Sequence, residues 1–417
     1  MKNLLKLLLR AITSRVIKKY NPYIIAITGS VGKTSTKDAI YDAFSGFKKM
    51  RKSAGNLNTE TGAPLVFLGI ESPGKNIWDW LVILLRGLSL LLKKDKDYPD
   101  IIVTELAADK PGDIEYLSGF IKPDIAVITA VGEVPVHVEF YKSPKEVAQE
   151  KEKLIYYLPS DKKVILNKDD QRVSEMETKA EKITFGFSKE SDVAIKEFKG
   201  DNLKGSTVLI EYKESQYEVF LSKCIGKHLA HLAASVFAVG VCLEIPVEKI
   251  PKMMGKIRPV KGRLYPIRGI KGSIILDGSY NAAPFSVTSS LDTLKDLSAE
   301  KKIAILGDML EIGNYAPEEH RKIGRRVASI CDYAFFVGEW AVEMKKAALL
   351  AGMKEEQAFS FSNVKEINSK LENIISSKSI ILVKGSQRIR LEKAILFIMH
   401  NPENAEDVLV RQTPEWK

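Results

Sequence analysis

The sequence contains few cysteines and histidines, which limits the sites it can build. Its 417 residues include 3 cysteines and 5 histidines. Cys224, Cys242 and Cys331 are far apart and form no C-x-x-C pair, so they argue against a disulfide framework and against a zinc site. We therefore expect a protein of a reducing, cytoplasmic compartment.

The chain also lacks a recognisable export signal. Residues 1–19 are rich in leucine, but Lys6 interrupts the apolar stretch and no cleavage site of small residues follows. A second apolar stretch, residues 77–92, contains Asp79 and Arg86 and is shorter than the roughly 20 residues of a membrane span. Two tryptophans at its start and two lysines after its end suit an interfacial helix, and a buried helical hairpin is the alternative.

Acidic residues are scarce at the start of the chain. Residues 1–52 hold twelve lysines and arginines but only Asp38 and Asp42, so this segment carries the whole formal net charge of +10. No array of aromatic and basic residues follows, so we expect no nucleic acid partner. Residues 1–22 are predicted to form a basic amphipathic helix. Such a helix either packs on the next domain or lies on the inner face of a membrane.

The rest of the chain has an ordinary globular composition and alternates short apolar runs with helical patterns. The runs near residues 24, 101, 125, 163, 274, 303, 334 and 380 predict strands of a mostly parallel α/β architecture. Residues 183–222 contain short stretches in which apolar and polar residues alternate, separated by polar turns. This pattern predicts a small antiparallel insertion. Pro259 and Gly262 interrupt the pattern of strands and helices, so we place a domain boundary near residue 258. We expect a P-loop central domain over 23–257 and a Rossmann-like domain over 258–417.

The segment 24–36 reads IIAITGSVGKTST, an apolar strand that breaks into a glycine-flanked turn. Glycines allow backbone N–H groups to approach phosphate oxygens, a lysine binds the β- and γ-phosphates, and a threonine hydroxyl binds Mg²⁺. The spacing G-x-x-G-K-T is shorter than the general pattern, yet its place between a strand and a helix predicts an ATP-binding loop. The predicted loop residues are Gly29, Ser30, Val31, Gly32, Lys33, Thr34 and Ser35.

Two further polar side chains follow predicted strands. Glu105 ends the run 101–104, and His137 follows the run 125–129. Ligands bind at the carboxyl ends of strands in open α/β sheets, so both side chains are expected near the phosphate loop. Glu105 is a candidate Mg²⁺ ligand together with Thr34.

These segments together resemble the Mur ligases, the ATP-dependent amino-acid ligases of peptidoglycan precursor synthesis. The resemblance extends from about residue 23 to 400. Within the family it favours the branch that adds D-alanyl-D-alanine to a muramoyl-peptide. The segments that carry it include TGSVGKTS at 28–35, GNLNTETGAPL at 55–65, ELAADKPGDI at 105–114, LNKDD at 166–170, GKH at 226–228, KGR at 261–263, DGSYNAAP at 277–284, LGDMLEIG at 306–313 and VKGSQRIRLE at 383–392.

The resemblance implies an ADP-forming ligase that converts a carboxylate into an acyl phosphate, which an amine then attacks. It implies ATP and two Mg²⁺ ions as cofactors, with Lys33 as a catalytic residue. Thr34, Glu105, His137 and a carbamylated Lys151 would hold the metals. Without the resemblance, Lys151 reads as an exposed lysine in a charged helix. The implied nucleotide contacts are Asn167, His228, Arg263, Asp277, Tyr280 and Asn281.

Four features depart from the family pattern. The two asparagines that hold adenine are replaced by Leu229 and Leu232, and Asp277 is followed by Gly278 where the family has a second aspartate. The segment that leads to His137 is longer than usual. Only 22 residues precede the first strand, where the family carries a domain that grips a UDP-sugar. We therefore expect the acceptor to be held by another protein, by the central domain alone, or at a membrane.

The sequence leaves three functions open. The first is addition of D-Ala-D-Ala to a muramoyl-peptide by a monomeric enzyme. The second is amide ligation to another acceptor, such as a polyglutamate or a different cell-envelope peptide. The third is a non-catalytic, ATP-binding regulator, which the combination of Lys33, Thr34, Glu105, His137 and Lys151 disfavours.

Overall fold

A computed structural model describes residues 2–55, 57–71, 77–201, 203–413 and 416. Asn56, within the matched segment 55–65, lies outside these residues. Within them the strands are β1 (Tyr23–Thr28), β2 (Met50–Lys52), β3 (Ile101–Glu105), β4 (Ile125–Ile128), β5 (Lys163–Asn167), β6 (Glu181–Gly186), β7 (Val193–Asp201), β8 (Gly205–Tyr212), β9 (Ser215–Ser222), β10 (Tyr265–Arg268), β11 (Ile274–Gly278), β12 (Lys301–Gly307), β13 (Tyr333–Val337), β14 (Ala358–Phe361) and β15 (Ser379–Lys384).

The described α-helices fall between these strands and at both ends. They are α1 (Lys2–Tyr20), α2 (Lys33–Phe44), α3 (Gly62–Leu68), α4 (Ile77–Leu92), α5 (Asp113–Ser118), α6 (Pro144–Tyr156), α7 (Gln171–Ser174), α8 (His228–Cys242), α9 (Ile250–Met254), α10 (Pro284–Asp296), α11 (Ala316–Ala328), α12 (Ala341–Leu350), α13 (Asn368–Ile374), α14 (Glu392–Ile398) and α15 (Ala405–Val408).

The first sheet has the strand order β2-β3-β1-β4-β5-β6-β7-β8-β9. Its strands pair in parallel from β2 through β7, and β8 and β9 pair antiparallel. The predicted antiparallel insertion therefore extends the central sheet, because β6 and β7 pair in parallel across Phe185 and Gly186.

The second sheet has the order β10-β11-β15-β12-β13-β14 and is parallel except for β10. This arrangement confirms the predicted α/β fold class, with a mostly parallel central sheet and a second sheet in the C-terminal part.

The central strands β1, β3 and β4 are buried along almost their whole length, because helices cover both faces of the sheet. Alternate side chains of β1 point into two different cores. Ile25 and Ile27 pack with α2 and α8, whereas Ile24 and Ala26 pack with α1, α3 and α4. Because β1, β3 and β4 are adjacent and parallel, their carboxyl ends lie at one edge.

Both apolar segments noted in the sequence are helices on the same face of the central sheet. Leu9, Ile12 and Val16 of α1 are buried, as are Ile83 and Leu90 of α4. The prediction of a buried hairpin over 77–92 is wrong, because α4 is a single helix with one exposed side. In the described residues, none of the helices has both the length and the apolar character needed to cross a bilayer.

Candidate active site

The phosphate loop connects β1 to α2. Gly29 and Gly32 have φ angles of 146° and 90°, which residues other than glycine rarely adopt. A Cβ atom on Gly29 would lie 2.1 Å from Thr129 Oγ1. That hydroxyl donates a hydrogen bond to the carbonyl of Val31 at 2.6 Å, and Ser30 N–H donates to the carbonyl of Ala130 at 2.6 Å. The end of β4 thus holds the loop in a fixed curve.

Lys33 and Thr34 begin α2 at the mouth of this loop. Lys33 Nζ donates a hydrogen bond to the carbonyl of Gly29 at 2.7 Å, so the ammonium lies across the loop. Burial lowers the pKa of Lys33, while the charges of Glu105 and Asp109 oppose that shift. The neighbouring Ser35 occupies the first turn of the helix.

Glu105 ends β3, next to the strand that delivers the loop. Thr34 Oγ1 donates a hydrogen bond to Glu105 Oε2 at 3.3 Å. Glu105 is 2% exposed, and its other oxygen, Oε1, has no hydrogen bond within the described residues. A buried carboxylate oxygen with spare capacity, beside a threonine hydroxyl, is the kind of oxygen pair that Mg²⁺ prefers.

Lys151 lies on α6 and is only 1% exposed. It shares one face of the helix with Val147, Leu154 and Ile155, which are also buried. Burial and the charge of Lys33 lower the pKa of Lys151 to about 7, even though acidic side chains oppose the shift. The interpretation of Lys151 as an exposed helix lysine is therefore wrong. With a pKa of about 7, a large fraction of the Lys151 amine is neutral at pH 7.

His137 connects the two parts of the chain. Its Nε2 atom lies 3.3 Å from Asp109 Oδ1 in the central domain, and its Nδ1 atom lies 3.0 Å from Glu311 Oε2 in the C-terminal part. The proximity of His137 lowers the pKa of Glu311. His137 has a φ of 70° and precedes a short 3₁₀ turn, so its ring is aimed by a left-handed backbone conformation.

The C-terminal part contributes several of the predicted residues. The guanidinium of Arg263 stacks on the ring of Tyr280 with 4.3 Å between Cζ and the ring centroid. The charge of Arg263 also lowers the pKa of Lys33 in the other domain, after the larger effect of burial. Burial raises the pKa of Asp277, and the carboxylate accepts a hydrogen bond from Ser279 N–H at 2.9 Å.

Lys384 supports the loop that follows β11. Its Nζ atom donates a hydrogen bond to the carbonyl of Asn281 at 2.8 Å. Burial and the charge of Arg263 lower the pKa of Lys384 to about 7. On the other side of the loop, Arg411 donates to the carbonyls of Ser279 and Tyr280 at 2.5 and 3.1 Å.

The two remaining predicted contacts lie at the start of α8 and the end of β5. His228 is half-buried, and burial together with the charge of Lys384 lowers its pKa to about 4. Asn167 is buried, donates to the carbonyl of Thr129 at 2.8 Å and accepts from Asp169 N–H at 3.0 Å. Asn167 therefore braces the strand end behind the phosphate loop.

Contacts and charge effects connect most of the predicted residues of the phosphate loop with those of the C-terminal part, and the structure also assigns contacts that the sequence did not suggest. Asp109 and Glu311 lie within matched segments, yet their shared contact with His137 spans more than 170 residues of sequence and is not visible in either segment. In the described part of the chain, no three His, Cys, Asp or Glu side chains form a ready metal-binding group. The metal roles of Thr34, Glu105, His137 and Lys151 thus remain predictions. The residues that the sequence analysis missed are Lys37, Asp109, Glu311, Lys384 and Arg411.

The amino-acid sequence of this chain is similar to that of known proteins. Residues 85–240 match the Mur ligase middle domain, and residues 262–387 match the Mur ligase, glutamate ligase domain. A UDP-N-acetylmuramoyl-tripeptide–D-alanyl-D-alanine ligase of Bacillus subtilis is 25% identical over 399 residues, which cover 94% of this chain and 79% of that protein.

Solved structures agree with the fold. A crystal structure of MurF from Acinetobacter baumannii superposes with a TM-score of 0.78 at 23% identity and covers 94% of this chain and 80% of that one. MurF ligase from Thermotoga maritima, solved in complex with ADP, gives a TM-score of 0.76 at 24% identity and covers 93% and 82%. With both family domains matched in order and relatives aligned over most of its length, the chain belongs to the Mur ligase family.

Proposed function

We propose that this protein is an ATP-dependent, ADP-forming ligase that joins D-alanyl-D-alanine to the carboxylate of a UDP-N-acetylmuramoyl-tripeptide in peptidoglycan synthesis. The relatives that align with most of this chain carry this activity in their names. We further propose that the chain acts as a monomer with a central domain over 23–257 and a C-terminal domain over 258–417.

The chemistry requires a leaving group on an otherwise unreactive carboxylate. In the proposed reaction a carboxylate oxygen attacks the γ-phosphorus of ATP, the bond to the β-phosphate breaks and ADP leaves. The amine nitrogen then attacks the acyl carbon, and phosphate departs as the amide forms. Lys33 offsets charge on the transferring phosphoryl group, and backbone N–H groups of the 29–35 loop contact the phosphates.

The observation that carries the proposal is the 3.3 Å contact between Thr34 Oγ1 and Glu105 Oε2 at the mouth of the phosphate loop. It brings a hydroxyl and a buried carboxylate to the place where the γ-phosphate of ATP is expected. Arg263 comes from the other domain and influences Lys33, so closure of the two domains around ATP would complete the site.

The residues fit a divalent cation. Glu105 Oε1 is buried and accepts no hydrogen bond among the described residues, with the Lys37 ammonium 3.5 Å away, and Thr34 offers a hydroxyl beside Oε2. Mg²⁺ bound there would neutralise charge on the phosphate oxygens. We propose that Thr34 and Glu105 hold one ion, and that His137 and Lys151 contribute to a second.

Lys151 would serve a second ion only as an anion. A neutral lysine amine can attack the carbon of CO₂, form an N–C bond and release one proton, which leaves a negatively charged carbamate. The buried position of Lys151 and its pKa of about 7 supply the neutral amine that this step needs. We propose that Lys151 is carbamylated in the active protein.

Product identification tests the proposed function directly. The purified protein is incubated with ATP, Mg²⁺, D-Ala-D-Ala and UDP-muramoyl-tripeptide, and mass spectrometry should detect the pentapeptide product together with ADP. Lys33→Ala should lower the rate at least about a hundredfold, because a charge that stabilises the transition state is lost. Lys48 is an exposed lysine on the loop between α2 and β2, and Lys48→Ala serves as the matched control.

Two outcomes would favour the alternatives. ADP release that depends on another carboxylate, such as a polyglutamate, would keep the ligase chemistry and replace the acceptor. A Lys33→Ala variant that fully supports growth in place of the wild-type protein would favour a non-catalytic regulator.

A further inference from the structure

Helices α1 and α4 lie side by side on the outside of the central domain. Ile12 faces Gly87, where a Cβ atom would come within 2.5 Å of the isoleucine side chain. Lys19 Nζ donates to the carbonyls of Leu90 and Leu91 at 2.8 and 2.9 Å. These contacts show that the helices run parallel, so their first turns lie at one end and their last turns at the other.

The outward side of α4 is almost entirely apolar. Its exposed positions recur every three or four residues, as expected for one face of a helix, and Ser89 is the one polar residue among those described. The apolar side chains on this face are 46–84% exposed. They are Trp78, Leu81, Val82, Leu85, Leu88 and Leu92.

The neighbouring helix extends this face at one end. Leu4, Leu7 and Leu8 of α1 are 41–63% exposed, while Leu9, Ile12 and Val16 on its opposite side are buried. Because both helices pack on the same core, their outer sides point away from the same sheet. Together they present nine exposed apolar side chains, more than the scattered ones typical of a monomer surface.

The other end of the two helices is basic. Arg15, Lys18 and Lys19 of α1 are exposed, and Lys93 and Lys94 follow α4 directly. Lys19 reaches across to the last carbonyls of α4, so the two basic groups are adjacent. Within the described residues, none of these five side chains forms an ion pair with a carboxylate. The Lys19 ammonium already donates to three backbone carbonyls, so the charges of the other four side chains are available to a ligand.

We propose that this surface, formed by the outer sides of α1 and α4 with the basic end at residues 15–19 and 93–94, docks on an anionic lipid bilayer. The apolar side chains would enter the boundary between headgroups and acyl chains, as in interfacial helices. Arg15, Lys18, Lys93 and Lys94 would contact lipid phosphates, and Trp78 suits the headgroup level at the other end.

Charge complementarity favours lipid over a second copy of the chain. In a two-fold contact through this surface, the basic end would face either the same basic end or the apolar end of the other copy. Like charges would repel in the first arrangement, and ammonium groups would lose water without a partner in the second. An anionic bilayer offers both an apolar interior and negative charge, so it satisfies the two halves of the surface at once.

Vesicle flotation of the full chain tests the proposal. Phosphatidylcholine vesicles with and without phosphatidylglycerol are used at low and moderate salt, in the absence of nucleotide and substrates. This readout is independent of ligase activity, so it fails or succeeds separately from the proposed function. We expect binding to the anionic vesicles that weakens with salt.

Matched variants separate the two halves of the surface. Leu85→Gln/Leu92→Gln removes two side chains that are 55% and 84% exposed, and Val342→Gln/Leu350→Gln on α12 is its control, at 52% and 91%. Lys18→Gln/Lys93→Gln/Lys94→Gln should weaken binding roughly a hundredfold at low salt, since each charge near the surface contributes about fivefold. Lys213→Gln/Lys223→Gln/Lys249→Gln, also exposed, is the control.

All of these substitutions are on the surface, so unchanged thermal midpoints should accompany them. Loss of binding in both test variants but in neither control supports the proposal. Absence of wild-type binding to anionic vesicles overturns it. It is equally overturned if the apolar variant binds as well as wild type, or if sedimentation shows a dimer that only the apolar variant dissociates.

Discussion

Lys37 Nζ lies 3.5 Å from Glu105 Oε1, and both side chains are 2% exposed. The same ammonium donates a hydrogen bond to the carbonyl of Ser53 at 2.8 Å and lies 3.5 Å from Asp38 Oδ1. Lys37 is one turn beyond Lys33 on α2, so the helix that carries the phosphate-binding lysine also carries the cation behind Glu105. Lys37 therefore acts as a positioning residue, which holds the Glu105 carboxylate beside Thr34.

Lys37→Met should destabilise the protein and disturb the proposed cation site. Removal of one partner leaves the other charge buried without compensation, so we expect a loss of about 3–5 kcal/mol in the free energy of unfolding. Urea denaturation measures this loss. The Mg²⁺ concentration needed for half-maximal activity should also rise, because Glu105 is no longer held in place.

A double variant shows whether the effect passes through Glu105. Lys37→Met/Glu105→Gln should recover much of the lost stability, since no buried charge remains, while its activity stays low. Lys52→Met, which removes a partly exposed partner of Asp38, serves as the control and should cost much less. Equal stability of Lys37→Met and wild type would contradict a compensating role for the ion pair.

The proposed carbamylation of Lys151 should make activity depend on dissolved CO₂. Removal of bicarbonate should lower the rate, and its addition should restore it, because carbamate formation needs both CO₂ and the neutral amine. The restored rate should increase with pH through about 7, the pKa of the lysine. Labelling with ¹³C-bicarbonate and detection of a protein-bound carbamate signal by NMR checks the modification itself.

Lys151→Arg provides the control for this prediction. Arginine keeps the positive charge but cannot lose its proton in this pH range, so the carbamate signal should disappear and activity should no longer respond to bicarbonate. A wild-type protein whose rate is the same with and without bicarbonate would contradict the carbamate.

The sequence predicted those parts of the site that depend on a single segment. Gly29, Gly32 and Lys33 follow directly from a strand that ends in a glycine-flanked turn, and Glu105 follows from the rule that strand ends converge. Lys151 was predicted only through the family resemblance, since its neighbours along the chain are charged and only the tertiary fold buries it.

The missed residues depend on contacts between distant segments. Nothing in the sequence near Glu311 indicates that it meets His137, and Arg411 reaches the 279–280 loop from more than 130 residues away. The antiparallel strands were predicted, but their continuation of the central sheet depends on the pairing of β6 with β7, which local patterns do not reveal.

Lys384 should make stability depend on pH in the alkaline range. Burial, with a further effect of Arg263, lowers its pKa from 10.5 to about 7 in the folded protein. Between these two values the unfolded chain holds a proton that the folded chain has released, so the free energy of unfolding rises with pH. Below pH 7 both states hold the proton, and the folded state bears the full cost of a buried charge.

Urea denaturation of Lys384→Met across this window measures the contribution. The variant should lose a slope of up to about 1.4 kcal/mol per pH unit relative to wild type. Lys393→Met, an exposed lysine on the adjacent helix α14, should leave the slope unchanged. Parallel pH profiles for wild type and Lys384→Met would contradict the lowered pKa.

The His137–Glu311 contact yields a test that distinguishes two roles of the histidine. If His137 joins the domains through Glu311 at 3.0 Å, then His137→Ala and Glu311→Gln should raise KM for ATP by similar factors, because both remove the same contact in the closed state. If His137 instead binds a second Mg²⁺, only His137→Ala should change the dependence of the rate on Mg²⁺. A double-mutant cycle on kcat/KM at low and saturating Mg²⁺ separates these effects. We expect coupling between the two residues at both concentrations, because the 3.0 Å contact joins their side chains directly, and additive effects would contradict the joining role.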